Sequence, residues 1–220
     1  MVITGASSGI GAACVRRFLD DGWQVAGLAR RIATVPTGAM ALAVDLTDAG
    51  AVDAAGRKIA AWQPRIQAVI CAAGDFLVQA MDSPMASVEF ERIWRVTVWS
   101  KFYLVRMLLP LLAPPAAVVH VASLAAHRDF ADETAYMSAM HGVMGLARAQ
   151  DAELKPRGIR VAVVSPGLVR TPLTERAFPA EVLEDALAPE AIAGSAAMLI
   201  ATCRGGGYIP EIFHLPQNST

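Results

Sequence analysis

The sequence predicts an α/β fold: a doubly wound parallel sheet of about seven strands with helices on both faces. Three observations predict it. Short β-type runs such as 116–121 and 159–165 are apolar without polar alternation, as strands buried on both faces must be. Longer helical stretches separate these runs, and strands joined through helices pair in parallel. The first run, Val2–Thr4, leads directly into a glycine-rich turn that opens a helix.

The elements follow in order. Val2–Thr4 reads as a strand and 9–21 as a helix. Residues 24–29 and 39–44 read as strands, and 48–62 as a helix for which Thr47 or Asp48 can serve as the cap. Residues 68–71 form a short buried strand. Residues 88–112 read as one long helix that Pro110 bends or ends. A strand at 116–121 and a second long helix at 133–155 follow, the helix stopped by Pro156 and Gly158. Residues 159–165 form a strand, 189–203 a helix and 208–215 the last strand. The tail 217–220 is expected to be loose.

Bulk properties narrow the function. With 220 residues the chain fits one domain, 1–220. Hydrophobic residues at 55% and charged residues at 18% exclude a disordered chain. A net charge of -1 points to neither a nucleic-acid nor an anionic-membrane partner. The longest nearly apolar run, 102–115, carries Arg106 and falls short of the roughly 20 residues a membrane span needs. No signal segment is visible at the start. Cys14, Cys71 and Cys203 have no metal-ligand spacing and read as reduced thiols of a cytoplasmic protein. His120, His127, His141 and His214 form no ligand pattern either, so no metal is expected.

Chemistry begins at Thr4-Gly5-Ala6-Ser7-Ser8-Gly9-Ile10-Gly11. Glycines allow a tight turn and let the backbone approach a pyrophosphate closely. The helix that follows offers unpaired N–H groups and a positive dipole end to that anion. Ser7 and Ser8 can add hydroxyl contacts, and Ile10 belongs to the first helical turn. A strand, this turn and a helix together make a Rossmann-type dinucleotide site. The second strand ends Leu28-Ala29-Arg30-Arg31, without the carboxylate that selects NAD. Arg30 suits a 2′-phosphate, which favours NADP(H) over NAD(H), although two solvated arginines would read the same way.

The spacing G-x-x-x-G-x-G resembles the cofactor turn of the short-chain dehydrogenase/reductase family, and further matches run in family order to about Leu215. The resemblance implies that Asp45, with Leu46, contacts the adenine. A plain loop or helix-capping aspartate is the alternative for Asp45. It implies that Cys71-Ala72-Ala73-Gly74 stands where the family has Asn-Asn-Ala-Gly, with Ala72 and Gly74 passing beside the cofactor. It implies that Pro166-Gly167-Leu168-Val169-Arg170-Thr171 is the loop that receives the nicotinamide amide, through Pro166, Gly167, Val169 and Thr171. Ser123, closing the strand at 116–121, matches the residue that polarises the substrate oxygen. Tyr136, thirteen residues on, matches the proton donor in reduction and acceptor in oxidation. A strand-end hydroxyl and an amphipathic core tyrosine are the structural alternatives.

Two matches fail. Met140 stands four residues after Tyr136, where the family has a lysine that lowers the tyrosine pKa and holds the nicotinamide ribose. Thr97 stands in place of a helix asparagine. The expected function is an NADP(H)-dependent oxidoreductase that reduces a carbonyl or oxidises a secondary alcohol. A catalytically impaired NADP(H)-binding sensor or scaffold is the alternative, and a cofactor-free lyase like the halohydrin dehalogenases ranks last because the glycine turn is intact. Leu173, Phe178, Val182 and Leu183, with Phe130, suit an apolar substrate or ordinary helix packing. Apolar groups on the two long helices, among them Trp94, Trp99, Phe102, Met107, Met137 and Met144, suggest a homodimer or homotetramer.

Overall fold

A computed structural model describes residues 1–84 and 86–214. Its strands are β1 (Val2–Thr4), β2 (Ala26–Ala29), β3 (Met40–Ala43), β4 (Ile66–Cys71), β5 (Leu112–Val121), β6 (Ile159–Pro166) and β7 (Glu211–His214). They form one sheet in the order β3-β2-β1-β4-β5-β6-β7, and every neighbouring pair is parallel. Among the described residues six α-helices pack on it: α1 (Gly9–Asp20), α2 (Ala49–Trp62), α3 (Ala86–Trp94), α4 (Ser100–Leu108), α5 (Thr134–Leu154) and α6 (Pro189–Arg204). Pairing of the last strand starts at Glu211 rather than 208. Leu215 and the tail 217–220 lie outside the described residues.

Alternation along each strand builds two cores. Val2, Val69 and Val118 point to the layer of α2, α4 and α5. Ile3, Ile70 and Val119, one residue on in each strand, point to the layer of α1 and α6. Both directions are buried, so the strands need apolar residues at every position. Asp48 caps α2, accepting a hydrogen bond from the Ala51 N–H at 3.2 Å. A 3₁₀ turn, Lys155–Arg157, and Gly158 at φ 73° end the α5 segment as Pro156 and Gly158 predict.

The helix expected over 88–112 is not continuous. α3 stops at Trp94, a π-helical turn occupies Arg95–Trp99, and α4 ends at Leu108, two residues short of Pro110. A π turn inserts one extra residue per turn and re-aims the side chains beyond it. Here it turns Thr97 fully inward. Leu112 belongs to β5, which reaches back past Pro114 and Pro115 to pair with Ile66 across a register shift. The two prolines are exposed at that irregularity, where a strand tolerates missing donors.

The chain runs outward from β1 to β3, returns to β4 beside β1, and then runs outward the other way. The carboxyl ends of β1 and β4 therefore flank the switch point, where such sheets form a crevice. No helix among the described residues is long and apolar enough to cross a membrane.

Candidate functional site

The glycine turn lies in that crevice, and its close contacts require glycine. A Cβ on Gly11 would sit 2.2 Å from the Gly5 carbonyl oxygen. Gly5, at φ +67°, would place one 3.1 Å from the Ala73 nitrogen and 3.2 Å from the Ala72 carbonyl. A Cβ on Gly9 would lie 3.0 Å from Thr171 Cγ2. The turn after β1, the segment after β4 and the loop after β6 thus converge, bringing together Gly5, Ala72, Gly9 and Thr171. Ser8 precedes α1 but uses no side-chain cap hydrogen bond. The amides of Gly9, Ile10 and Gly11 have no acceptor within the helix, and Ser7 and Ser8 are half-exposed beside them. This cradle of glycines and free amides fits the diphosphate of a dinucleotide.

Arg30 follows β2 and is exposed; Asp45 follows β3 and is exposed, while Leu46 is buried in the core. The Thr47 N–H and hydroxyl both donate to Asp45 Oδ1, at 2.9 and 2.7 Å. Those bonds first, then the Arg30 and Arg95 charges, hold the Asp45 carboxyl below the usual range. Arg30 is therefore within electrostatic reach of Asp45 on this rim.

Across the crevice, Ser123 ends the β5 segment and Tyr136 lies in the first turn of α5. The Ser123 hydroxyl lies near enough to Tyr136 to favour its ionised form, and Ser123 Oγ accepts from the Ala125 N–H at 3.2 Å. Burial pushes Tyr136 up to about 12. The Ser123 hydroxyl opposes that rise and the nearby Glu133 adds to it. Met140, one turn along α5, is buried in the core layer beneath. Thr97 Oγ1 is buried without a hydrogen-bond partner. A Cβ on Gly74 would lie 3.9 Å from it.

The Pro-Gly loop holds itself by local bonds. Thr174 Oγ1 donates to the Val169 carbonyl at 2.6 Å and exchanges hydrogen bonds with Thr171. Val169 bridges to Leu187, which closes the segment between them into a lid anchored at both ends. Pro166 is buried at the end of β6 and Gly167 is half-buried. From the lid, Phe178 stacks on Phe76 at 5.5 Å, and Phe76 packs edge-on against the Tyr136 ring at 4.8 Å. Of the other apolar candidates, Leu183 is buried, and Phe130 and Val182 are exposed.

Sequence reasoning missed two residues. Phe76 stands two positions after Gly74, and that proximity is its one signal. Lys101, in the first turn of α4, is 3% exposed, and its Nζ donates to the Ala73 carbonyl at 2.7 Å. Of the groups expected at a subunit interface, several work within the chain. Trp94 donates to Ser138 at 3.0 Å, Met144 is buried in the core, and Met107 fills the space above Gly56. Phe102 remains exposed.

The short chain dehydrogenase family model matches residues 1–182. The chain is 33% identical over 190 residues to a 1-deoxy-11-beta-hydroxypentalenate dehydrogenase of Streptomyces exfoliatus, a match covering 79% of this chain and 68% of that protein. The ligand-free aldohexose dehydrogenase of Thermoplasma acidophilum superposes with a TM-score of 0.88 at 23% identity, over 96% of this chain and 90% of that one. A short-chain type dehydrogenase/reductase from Mycobacterium marinum gives a TM-score of 0.86 at 26% identity, over 99% and 94%. Because the family match starts at β1 and runs on into the lid, it takes in the cradle, Ser123 and Tyr136 alike, and the chain belongs to the short-chain dehydrogenase family of oxidoreductases.

Proposed function

We propose that this chain is an NADP(H)-dependent oxidoreductase that reduces a carbonyl, or oxidises a secondary alcohol, by hydride transfer. The observation that carries the reading is Tyr136 beside Ser123, packed on Phe76 from the segment after β4 against which the Gly5 turn closes. Gly5, Ser7, Ser8, Gly9, Ile10 and Gly11 would hold the diphosphate, Asp45 and Leu46 the adenosine side, and Ala72, Gly74, Pro166, Gly167, Val169 and Thr171 the nicotinamide side. The bound dinucleotide supplies the hydride. Ser123 donates a hydrogen bond to the substrate oxygen and polarises the carbonyl. Tyr136 delivers its proton to that oxygen as the carbon accepts the hydride, and takes the proton back in the oxidative direction.

Burial favours reduction. A tyrosine held protonated has its proton ready to give, whereas oxidation needs the phenolate. Phe76 and Phe178 support an apolar substrate, since a dry aromatic wall beside Tyr136 disfavours hydrated groups. The choice of NADP(H) rests on Arg30 and on the absence of a carboxylate at Ala29.

Thermal-shift titration with NADPH, NADP, NADH and NAD tests the cofactor. NADPH is expected to stabilise most, and Arg30→Ala to weaken it about tenfold while sparing NADH. Equal response to NADH and NADPH would overturn the preference. Turnover of a ketone and aldehyde panel tests the chemistry, and Tyr136→Phe is expected to lower kcat by about 10²–10⁴-fold. Met140, apolar and buried, favours a second reading: an NADP(H)-binding sensor or scaffold without turnover. Tight NADPH binding with no Tyr136-dependent rate on any substrate would select it. Self-association into a dimer or tetramer is supported by Phe90 and Phe102, exposed on α3 and α4, and light scattering at micromolar concentration tests it.

A further inference from the structure

Lys101 is a buried cation without an anion. Among the described residues no carboxylate pairs with it. Asp151, the other buried charged side chain, is by contrast held by Arg160 and the Val161 N–H. The titratable groups facing the ammonium are Cys71 from β4 and His120 from β5, neighbours across the sheet. Burial raises the Cys71 thiol to about 12 and lowers His120 to about 4, so both are neutral near pH 7 and offer no countercharge. Burying an unpaired ammonium is costly, and an apolar side chain of the same length would fill this space at lower cost.

What the ammonium does hold is one backbone oxygen. The Ala73 carbonyl accepts from Nζ at 2.7 Å, while the Ala73 N–H donates to Thr4 Oγ1 at 3.0 Å. Both polar groups of Ala73 are therefore fixed, one from α4 and one from β1. Ala73 is the residue against which Gly5 packs, and Gly74 follows beside the unpartnered Thr97 hydroxyl. This short peptide packs on the phosphate turn and leads within two residues to Phe76, which packs on Tyr136.

We propose that Lys101 is a positioning residue for dinucleotide binding: it locks the Ala73 peptide in the orientation that keeps the Gly5 turn and the Gly74 edge open to the cofactor. The idea rests on the dinucleotide reading above. It accounts for a charge that packing alone disfavours, since a fold can retain a destabilising group where function needs it. Lys101 touches neither substrate nor cofactor; it acts through Ala73.

The test uses the full chain and its Lys101→Met and Lys101→Gln variants, with NADPH as the probe. Methionine removes both donor and charge, while glutamine keeps a donor that can reach a carbonyl. For Lys101→Met the NADPH dissociation constant is expected to rise about tenfold, the scale of one lost charge-assisted hydrogen bond. Its ligand-free melting temperature at pH 7 is expected to be no lower than wild type. Lys101→Gln is expected to bind within about threefold of wild type. Should the methionine chain not fold, Lys101→Thr, too short to reach Ala73, replaces it. A donor-free variant that binds NADPH as tightly as wild type overturns the proposal, and so does a loss of affinity that merely tracks a loss of stability. Failure of the wild type to bind any nicotinamide dinucleotide is a different result: it removes the dinucleotide reading, and this proposal with it.

Discussion

At the scale of single residues the site turns on Tyr136 and the residue one helical turn beyond it. Tyr136 is held protonated to about pH 12 because burial dominates its environment and no cation opposes it. Met140, where the family resemblance implies a lysine, is packed into the apolar layer beneath. Met140→Lys should therefore do two things at once. It should lower the inflection in the pH–rate profile of alcohol oxidation by roughly one to three units, the effect of a nearby opposite charge. It should also destabilise the cofactor-free protein by about 2 kcal/mol or more, because it buries an unpaired ammonium. Kinetic pH profiles and denaturant unfolding check the two halves separately, and an unmoved inflection would show that a charge at 140 does not reach the phenol. Ser123 and Tyr136 are legible in the sequence through the family resemblance, whose thirteen-residue interval they keep. Lys101 is not, because its partner is a backbone carbonyl 28 residues away and nothing in α4 announces it.

At the scale of elements, two connections shape the substrate side. The Val169–Leu187 bridge anchors the lid at both ends, and Phe178 from the lid meets Phe76 from the β4 loop over Tyr136. An offset-stacked pair of this kind contributes roughly 0.5–1.5 kcal/mol beyond its buried area. Phe178→Ala should therefore raise KM for a bulky apolar ketone about three- to tenfold, with little change for a small one and little loss of folding stability. Steady-state kinetics on a size series reads this directly, and a uniform change across the series would mean that the pair shapes the lid without touching substrate. The sequence shows Phe178 as an apolar lid residue but not its partner, since loop conformation over 75–84 has no periodic signal. The π turn at Arg95–Trp99 is hidden for a related reason. One extra residue shifts the apolar pattern too little for periodicity to separate a broken helix from a continuous one.

At the scale of the whole molecule, the two-sided sheet is the most legible feature, because burial on both faces forces near-continuous apolar strands. The edge strand β3 departs from that rule, with Met40, Ala41 and Ala43 partly or fully exposed around buried Leu42. The same two-sided burial traps ionisable groups, and their signs set how stability depends on pH. His120 is lowered to about 4 and Lys101 to about 8, each chiefly by burial. Both bind protons more readily when unfolded, so stability rises with pH over the intervals from about 4 to 6.5 and from about 8 to 10.5. Cys14, Cys71 and Tyr136 are raised to about 12, again chiefly by burial. Unfolded, they ionise near 9 to 10 while the native groups stay neutral, so stability falls with pH from about 9 upward. Above pH 9 two thiols act against one amine, and the falling limb wins. The melting temperature of the cofactor-free protein should therefore climb from pH 5 to a maximum near pH 9 and drop beyond it. Lys101→Met should melt above wild type at pH 7 and lose that advantage as pH rises from 8 toward 10.5, because the cost it removes shrinks through that interval and is gone once the lysine is neutral in the unfolded chain too. Calorimetry across pH 5–10.5 on both chains measures this, and parallel curves for the two would show that burial leaves the lysine's proton affinity as it is in the unfolded chain.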